Sequence, residues 1–208
     1  MKEIPILYSG AMVRALLDDR KGQTRRIINP QPQMVTDGAI LPWEGDSTAL
    51  LSLLQQSKRA CPYGQPGDRH WVRETWQHSN WPHGPFDEDC EIFYRADYLD
   101  DPHGPDGELS PEGKYRTWRP SIHMPRAACR ILLEVTEVRV ERLRCIKESD
   151  ARAEGVTIED RHMNGYCAGE CYPPAIRAYR ELWGSLYGGG SWDANPWVWV
   201  VEFRRVLQ

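Results

Sequence analysis

A lysine and a threonine flank a short turn in the segment 20–26, which reads Arg-Lys-Gly-Gln-Thr-Arg-Arg. An amine and a hydroxyl held this close can act as base and nucleophile, because the amine accepts the proton as the hydroxyl oxygen attacks. Lys21 and Thr24 are therefore the first candidates for chemistry. A simpler interpretation is also open, in which Lys21 is a favourable cation at a helix end and Thr24 only begins a strand.

The residues before this turn predict a helix. Ser9 can cap its first turn, and Gly22 stands where a left-handed residue would end it after Lys21. Apolar residues at helical spacing give the helix one buried face. They are Met12, Val13, Leu16 and Leu17.

The residues after the turn predict a strand over 24–28. Successive side chains of a strand point to opposite faces, so Thr24 and Arg26 share one face and Arg25 takes the other. Arg25 and Arg26 are candidates to hold a phosphate or an oxyanion, since guanidinium groups bind such anions well. As surface residues they would instead be ordinary ion-pair partners.

Glu154 is a carboxylate at the end of a second short helix, predicted over 148–154 and ended by Gly155. The C-terminal end of a helix disfavours a negative charge, so this placement is a poor choice for stability. If the fold brings Glu154 beside Lys21, the lysine keeps it ionised and the pair can pass a proton to a leaving amine. The more common case for such a residue is a solvated surface acid.

Short motifs in a fixed order resemble the ASCH domain, a member of the PUA-like barrels. They lie at 20–26, 67–74, 150–155 and 197–206, and segments 5–7 and 118–125 also resemble a phage-encoded group of that superfamily. The resemblance implies an α+β fold, a small PUA-like β-barrel with flanking helices. It implies a single domain over residues 1–208, with inserts at about 79–117 and 157–174.

The same resemblance implies an activity. In similar ASCH proteins a lysine, a threonine and a glutamate form the site of an amidohydrolase that deacetylates N4-acetylcytidine, and Lys21, Thr24 and Glu154 match those positions. The implied chemistry is attack on the acetyl carbonyl with cytidine leaving as the amine, and it needs neither a metal nor a cofactor. Lys147 departs from the Ser or Thr that often opens the second helix, which weakens the cap.

The position of Lys21 at a helix end and its role as a base have opposite requirements for its pKa. A helix C-terminus raises the affinity of Lys21 for its proton, which opposes its use as a base unless burial has the larger effect.

Aromatic and charged side chains elsewhere can form a pocket for a nucleobase. In related PUA-like proteins an aromatic pocket holds a modified or flipped base. Most tryptophans of the chain are nevertheless expected in the core. Glu74 is a second carboxylate, which either points into the barrel or pairs with Arg73. The candidate binding residues are Arg25, Arg26, Trp71, Arg73, Glu74, Trp76, Trp118 and Arg119. Arg126, together with Arg73 and Arg119, could place positive charge around a bound nucleotide.

Composition limits the partners and the compartment. The chain has 208 residues with 26 basic and 30 acidic side chains, a net charge of −4, so a nucleic-acid contact must be a local patch. The beginning of the sequence lacks the pattern of a signal peptide, and no apolar run reaches the length of a membrane span. We therefore expect a cytoplasmic protein with reduced thiols, in the host cytoplasm if phage-encoded, and no membrane partner.

A metal site is a minor alternative. Cys167 and Cys171 with His162 resemble part of a zinc site by spacing, and only Cys61, Cys90 or His123 could complete it from a distance. His83 and His103 lie in two copies of Pro-His-Gly-Pro, which is common turn composition.

Three functions follow as hypotheses. The first is an amidohydrolase for an acylated nucleoside or base. The second is a non-catalytic module that binds RNA or a modified base through the same pocket. The third is a phage interaction protein in which the barrel is a scaffold and the two inserts are the contact surface.

Overall fold

The computed structural model describes residues 1–36, 38–57, 59–80, 84–98, 117–159 and 172–206. These residues form an α+β fold with one five-stranded sheet and two two-stranded sheets. The helices are α1 (Gly10–Leu17), α2 (Ser47–Gln56), α3 (Glu148–Ala153) and α4 (Pro174–Tyr187). The strands are β1 (Glu3–Leu7), β2 (Gln23–Ile27), β3 (Gln33–Thr36), β4 (Ala39–Pro42), β5 (Arg69–Arg73), β6 (Trp76–His78), β7 (Ile92–Tyr94), β8 (Leu132–Arg142) and β9 (Trp197–Val206).

The large sheet has the order β1-β5-β8-β9-β2. Only β1 and β5 are parallel; the other neighbouring pairs are antiparallel. The long strand β8 has an irregularity between Val135 and Glu137, and such bulges bend a strand. In the described part of the chain no backbone ladder joins the two edge strands β1 and β2. Arg26 of β2 nevertheless donates a hydrogen bond of 3.0 Å to the carbonyl of Leu7 at the end of β1.

Strand β9 divides the core between its two faces. Val198 and Val200 point to α3 and α4, where they join a cluster with Tyr179 and Trp183. Trp199, on the other face, packs with residues of α2. This division follows from the two-residue period of a strand, and it makes β9 the strand on which the helices assemble.

The predicted end of the first helix is wrong. Helix α1 ends at Leu17, and the left-handed residue is Asp19, with φ 56°, whereas Gly22 does not have a positive φ. Gly22 is instead part of an extended connection, because its N–H donates to Ala153 and its carbonyl accepts from Phe203. The glycine therefore lets the chain run between α3 and β9.

The alternation of residues 70–76 predicts a single barrel strand, which the structure divides in two. It forms β5 and β6, with a break at Glu74 and Thr75. Trp76 leaves the large sheet because its N–H donates to the carbonyl of Arg119 and its strand pairs with β7.

The other predicted elements are confirmed to within two residues at each described end. Ser9 caps α1, Gly155 has the left-handed φ of 80° that follows α3, and β9 has the predicted bounds. Residues 81–83, 99–116 and 160–171, which include His83, His103, His162, Cys167 and Cys171, lie outside the described residues. The expectations about zinc and about most of the two inserts therefore stay predictions.

None of the helices in the described ranges is both long enough and apolar enough to cross a membrane.

Gly155 offers a test of the packing between α3 and the lysine turn. A Cβ added there would lie 2.7 Å from the Cβ of Ala15 and 2.9 Å from the Cβ of Lys21, at a φ of 80°. We expect Gly155→Ala to lower the free energy of unfolding by about 2–4 kcal/mol, from strain and overpacking, as measured by urea denaturation.

Gly189→Ala is the matched control, because an added Cβ there meets no heavy atom within 4 Å and its φ is not positive. Its effect should stay within about 0.5 kcal/mol. Equal losses in the two variants would contradict the close packing of Gly155 against Lys21.

Candidate active site

The two motifs that carry Lys21 and Glu154 meet in the structure. An isolated β-bridge joins the two residues, beside a hydrogen bond of 2.8 Å from the N–H of Gly22 to the carbonyl of Ala153. The backbone N–H of Lys21 also donates to Ala15 of α1 at 3.0 Å. Lys21 is therefore held between α1 and the C-terminal end of α3.

The Lys21 amine is fully buried and hydrogen bonded. It donates to the carbonyls of Gln23 at 2.9 Å and Glu154 at 2.8 Å, and to Oε2 of Glu154 at 3.0 Å. Burial lowers the pKa of the Lys21 amine below its ordinary value, and the Glu154 carboxylate opposes this effect. Burial therefore has the larger effect on the direction of this shift.

Glu154 is not the solvated acid that its type alone would favour. It is 3% exposed, and its two carboxylate oxygens bind different cations. Oε2 contacts Lys21 at 3.0 Å, and Oε1 accepts a hydrogen bond of 3.1 Å from Nη1 of Arg25. The fold thus brings Glu154 beside Lys21, which the sequence analysis left open.

Thr24 lies on the first residues of β2, buried, and opposite Val201 of β9. Tyr8, the residue after β1, adjoins both Thr24 and Lys21. The Lys21 amine is 5.4 Å from the centroid of the Tyr8 ring. The Tyr8 hydroxyl has no hydrogen bond of ordinary geometry. Burial raises its pKa, while the nearby guanidinium of Arg26 and hydroxyl of Thr24 lower it.

Arg26 and His70 complete this face with further polar atoms. The Arg26 guanidinium lies 5.6 Å from the Tyr8 ring centroid and 5.9 Å from that of Tyr63, and its Nε is buried without a hydrogen bond. Nε2 of His70 lies 2.7 Å from the Tyr63 carbonyl, while Nδ1 has no partner. Buried polar atoms without partners are costly and call for an explanation, and a bound polar ligand or water would satisfy them.

Sequence reasoning did not find Tyr8, Tyr63 or His70. A usable signal existed for His70, because it shares a strand face with the apolar Val72, whereas Trp71 and Arg73 take the other face. Tyr8 and Tyr63 lie in irregular segments next to strands, where no periodicity applies.

Arg25 lies on the opposite face of β2 and binds three carboxylates. Besides Glu154, its Nη2 contacts Glu141 of β8 and Asp150 of α3, each at 3.1 Å, and its side chain is 0% exposed. The predicted role of Arg25 in holding a phosphate stays a prediction, but these carboxylates already occupy its two terminal nitrogens.

Glu74 pairs with an arginine that sequence reasoning did not consider. Oε1 and Oε2 accept hydrogen bonds of 2.9 Å from Arg130, whereas the Arg73 guanidinium lies 5.3 Å from the Trp71 ring centroid and donates to the carbonyl of Ile122. Of the two alternatives left open for Glu74, pairing with Arg73 is therefore not the one observed. Burial raises the pKa of Glu74, and Arg130 opposes the shift.

The remaining aromatic candidates form a separate region. Trp76 is 1% exposed beneath the Arg119 guanidinium, which lies 5.1 Å from its ring centroid. A cavity of about 510 Å³ beside them is also bounded by Phe86 and His123. Trp118 packs 6.1 Å from Tyr98, centroid to centroid. Arg126 pairs with Glu3 at the surface.

The predicted binding residues are thus divided. Arg26 lies with Tyr8 beside Thr24, and Arg25 lies behind Glu154. Trp71 instead packs against the cluster that contains Trp76. Within the described ranges, no group of three or more His, Cys, Asp or Glu side chains has the arrangement of a metal site.

Comparisons of the chain with protein family models, with curated proteins and with solved structures found no match. The site is therefore interpreted from its own geometry.

The buried ion pair makes a specific prediction about stability. Glu154→Gln leaves Lys21 and Arg25 facing a neutral amide in the interior, and we expect a loss of about 3–5 kcal/mol in the free energy of unfolding at pH 7. Urea denaturation followed by tryptophan fluorescence measures this loss.

Glu134→Gln is the control for a surface pair. Glu134 contacts Arg204 at 3.1 Å, with the arginine side chain 70% exposed, so its removal should cost less than about 1 kcal/mol. A loss no larger for Glu154→Gln than for Glu134→Gln would show that the interior pair is not formed.

Proposed function

We propose that this chain is an ASCH-type amidohydrolase that acts on an acylated nucleoside or nucleobase such as N4-acetylcytidine. One observation carries the proposal. Lys21 and Glu154, which are 133 positions apart, form a buried ion pair, and Tyr8 lies near both Lys21 and Thr24. The order of the sequence motifs selects the same three residues.

The fold proposed with this function is a closed PUA-like barrel formed by the large sheet. The hydrogen bond from Arg26 to the carbonyl of Leu7 supports it, because this contact links the two edge strands. The aromatic residues Tyr8 and Phe203, with ring centroids 6.4 Å apart, would fill the interior.

The reaction begins with attack of the Thr24 hydroxyl oxygen on the acyl carbonyl carbon. Lys21, as the neutral amine, accepts the hydroxyl proton as the new C–O bond forms. The tetrahedral intermediate collapses, the C–N bond breaks, and Lys21 returns the proton to the leaving amine. Water then attacks the ester carbonyl carbon while Lys21 accepts its proton, the C–O bond to Thr24 breaks, Lys21 returns that proton to the threonine oxygen, and the carboxylic acid leaves.

Glu154 supports both charge states of Lys21. The three acceptors around the amine suit an ammonium ion, so Lys21 must lose one proton before it can act as a base. Burial favours this loss, and Glu154 stabilises the ammonium that forms during the attack. The pair can thus move a proton both ways.

Two donors are available for the acyl oxygen. The buried Tyr8 hydroxyl has no hydrogen bond of ordinary geometry and lies near Thr24 and Arg26, and the Nε–H of Arg26 has no hydrogen-bond partner. Donors of this kind stabilise the negative charge that develops on the carbonyl oxygen in the transition state.

The proposal predicts hydrolysis that depends on all three residues. Purified protein should release cytidine from N4-acetylcytidine, or the amine from another member of a panel of acylated nucleosides, as followed by product mass. Lys21→Met, Thr24→Val and Glu154→Gln should each lower kcat/KM at least about a hundredfold, because each removes a group that reacts or carries the proton.

Arg152→Gln is the matched control on α3, since Arg152 forms an exposed pair with Glu148. It should retain wild-type activity. Circular dichroism establishes that each variant is folded. Full activity in all three folded site variants would refute the assignment.

Binding of a nucleobase without hydrolysis is a second candidate. The cavity of about 510 Å³ beside Trp76 and Arg119 favours it, because an aromatic wall with a nearby cation suits a planar base. In this case oligonucleotides should bind in a salt-dependent manner, with the same affinity in Thr24→Val and reduced affinity in Arg119→Ala. Binding unchanged in Arg119→Ala would contradict this use of the cavity.

A further inference from the structure

We propose that Arg25 is a positioning residue that controls the proton on Lys21 through their shared carboxylate, Glu154. The catalytic consequence rests on the proposed amidohydrolase function. The coupling between Arg25 and Lys21 is a property of the folded chain and can be measured without a substrate.

The geometry places one carboxylate between two buried cations. Nη1 of Arg25 contacts Oε1 of Glu154 at 3.1 Å, and Nζ of Lys21 contacts Oε2 at 3.0 Å. The two cations bind different oxygens of this carboxylate, and Arg25 lies on the face of β2 opposite to Thr24. Arg25 therefore fixes the orientation in which Glu154 meets Lys21 without contacting the Thr24 face.

Arg25 is itself held in place from two elements. Its Nη2 contacts Glu141 of β8 and Asp150 of α3, each at 3.1 Å. Glu141 is in turn bound by Arg139, which also pairs with Glu202. This chain of ion pairs makes the position of Arg25 rigid, which a loosely packed arginine would not be.

The charged and titratable groups facing this cluster come from every element packed against it. Glu154 is the anion next to the Lys21 amine, and Arg25, Arg26 and Tyr8 are its other neighbours. Arg25 is faced by Glu154, Glu141, Asp150 and, from α4, Tyr179.

Arg25 lowers the proton affinity of the Lys21 amine in two ways. Its positive charge repels a second cation nearby, and it takes a share of the Glu154 charge that would otherwise stabilise the lysine ammonium. Both effects favour the neutral amine, and interactions between charges are strong in a buried site. Burial, Arg26 and Arg25 accordingly lower the pKa of Lys21, against Glu154.

The test is a direct titration of the Lys21 amine. Proteins labelled at lysine with ¹³C and ¹⁵N are titrated by NMR, with Lys21→Met used to assign the signal. Arg25→Gln keeps a hydrogen-bond donor for Glu154 but removes the charge, so the midpoint of Lys21 should rise by about one pH unit or more. Arg25→Lys keeps the charge and should leave the midpoint within about 0.3 units of the wild type.

Arg139→Gln is the matched control. It removes an equal charge from the same chain of ion pairs, at a residue that contacts Glu141 and Glu202. Because Arg139 is farther along the chain and its side chain is 22% exposed, the Lys21 midpoint should move by less than about half a unit. A shift as large as that in Arg25→Gln would overturn the special role of Arg25.

Glu141→Gln gives a second test in case Arg25→Gln does not fold. It removes one of the anions that neutralise Arg25, so the effect of Arg25 on Glu154 and Lys21 becomes stronger. We expect the Lys21 midpoint to fall, opposite to the change in Arg25→Gln. A midpoint that rises in Glu141→Gln, or one that does not move in folded Arg25→Gln, overturns the proposal.

The activity profile connects this coupling to catalysis. If Lys21 is the base, the acidic limb of kcat/KM against pH should move upward in Arg25→Gln by the same interval as the NMR midpoint. Absence of turnover in the wild type would refute the proposed function while the titration still decides the coupling. A shifted midpoint with an unmoved activity limb would refute the positioning role of Arg25.

Discussion

The ion pair between Lys21 and Glu154 is the constraint on which the surrounding structure depends. Removing two charges from water costs several kcal/mol for each ion, and only accurate pairing recovers this free energy. The backbone provides that accuracy, because Gly22 bonds to the end of α3 and Lys21 bonds to α1. Gly155, which has no side chain to collide with Lys21, allows the close approach. The contacts that stabilise this connection are therefore also the contacts that set the geometry of the site.

The alternation of strand β2 divides its side chains between two different environments. Thr24 and Arg26 face Tyr8, where buried polar atoms lack partners. Arg25 faces the helices, where its two terminal nitrogens bind three carboxylates while its Nε has no partner. The second face of β2 therefore holds the charges that surround Glu154. The division explains how a short strand with two adjacent arginines can use them for different purposes.

Local structure could be predicted from the sequence where a strong period or a cap exists. The apolar spacing of residues 175–186, which predicts α4, and the cap at Ser9 were sufficient, whereas β9 was indicated by the resemblance to ASCH domains. The end of α1 was not predicted correctly, because the left-handed conformation was assigned to Gly22, whereas Asp19 is the residue that adopts it. The contact between Lys21 and Glu154 depends on packing between distant segments, so periodicity carries no information about it, and only the resemblance to ASCH domains indicated it. The partners Arg130 and Asp150 were missed for the same reason.

The central claim is that Thr24, activated by Lys21, forms a covalent bond with the acyl group. Mass spectrometry of the intact protein, quenched in acid shortly after mixing with N4-acetylcytidine, tests this claim most directly. The account predicts a fraction of the chain heavier by one acetyl group, with peptide mapping to Thr24, and loss of that species in Thr24→Val. Release of cytidine at an undiminished rate by Thr24→Val would contradict it.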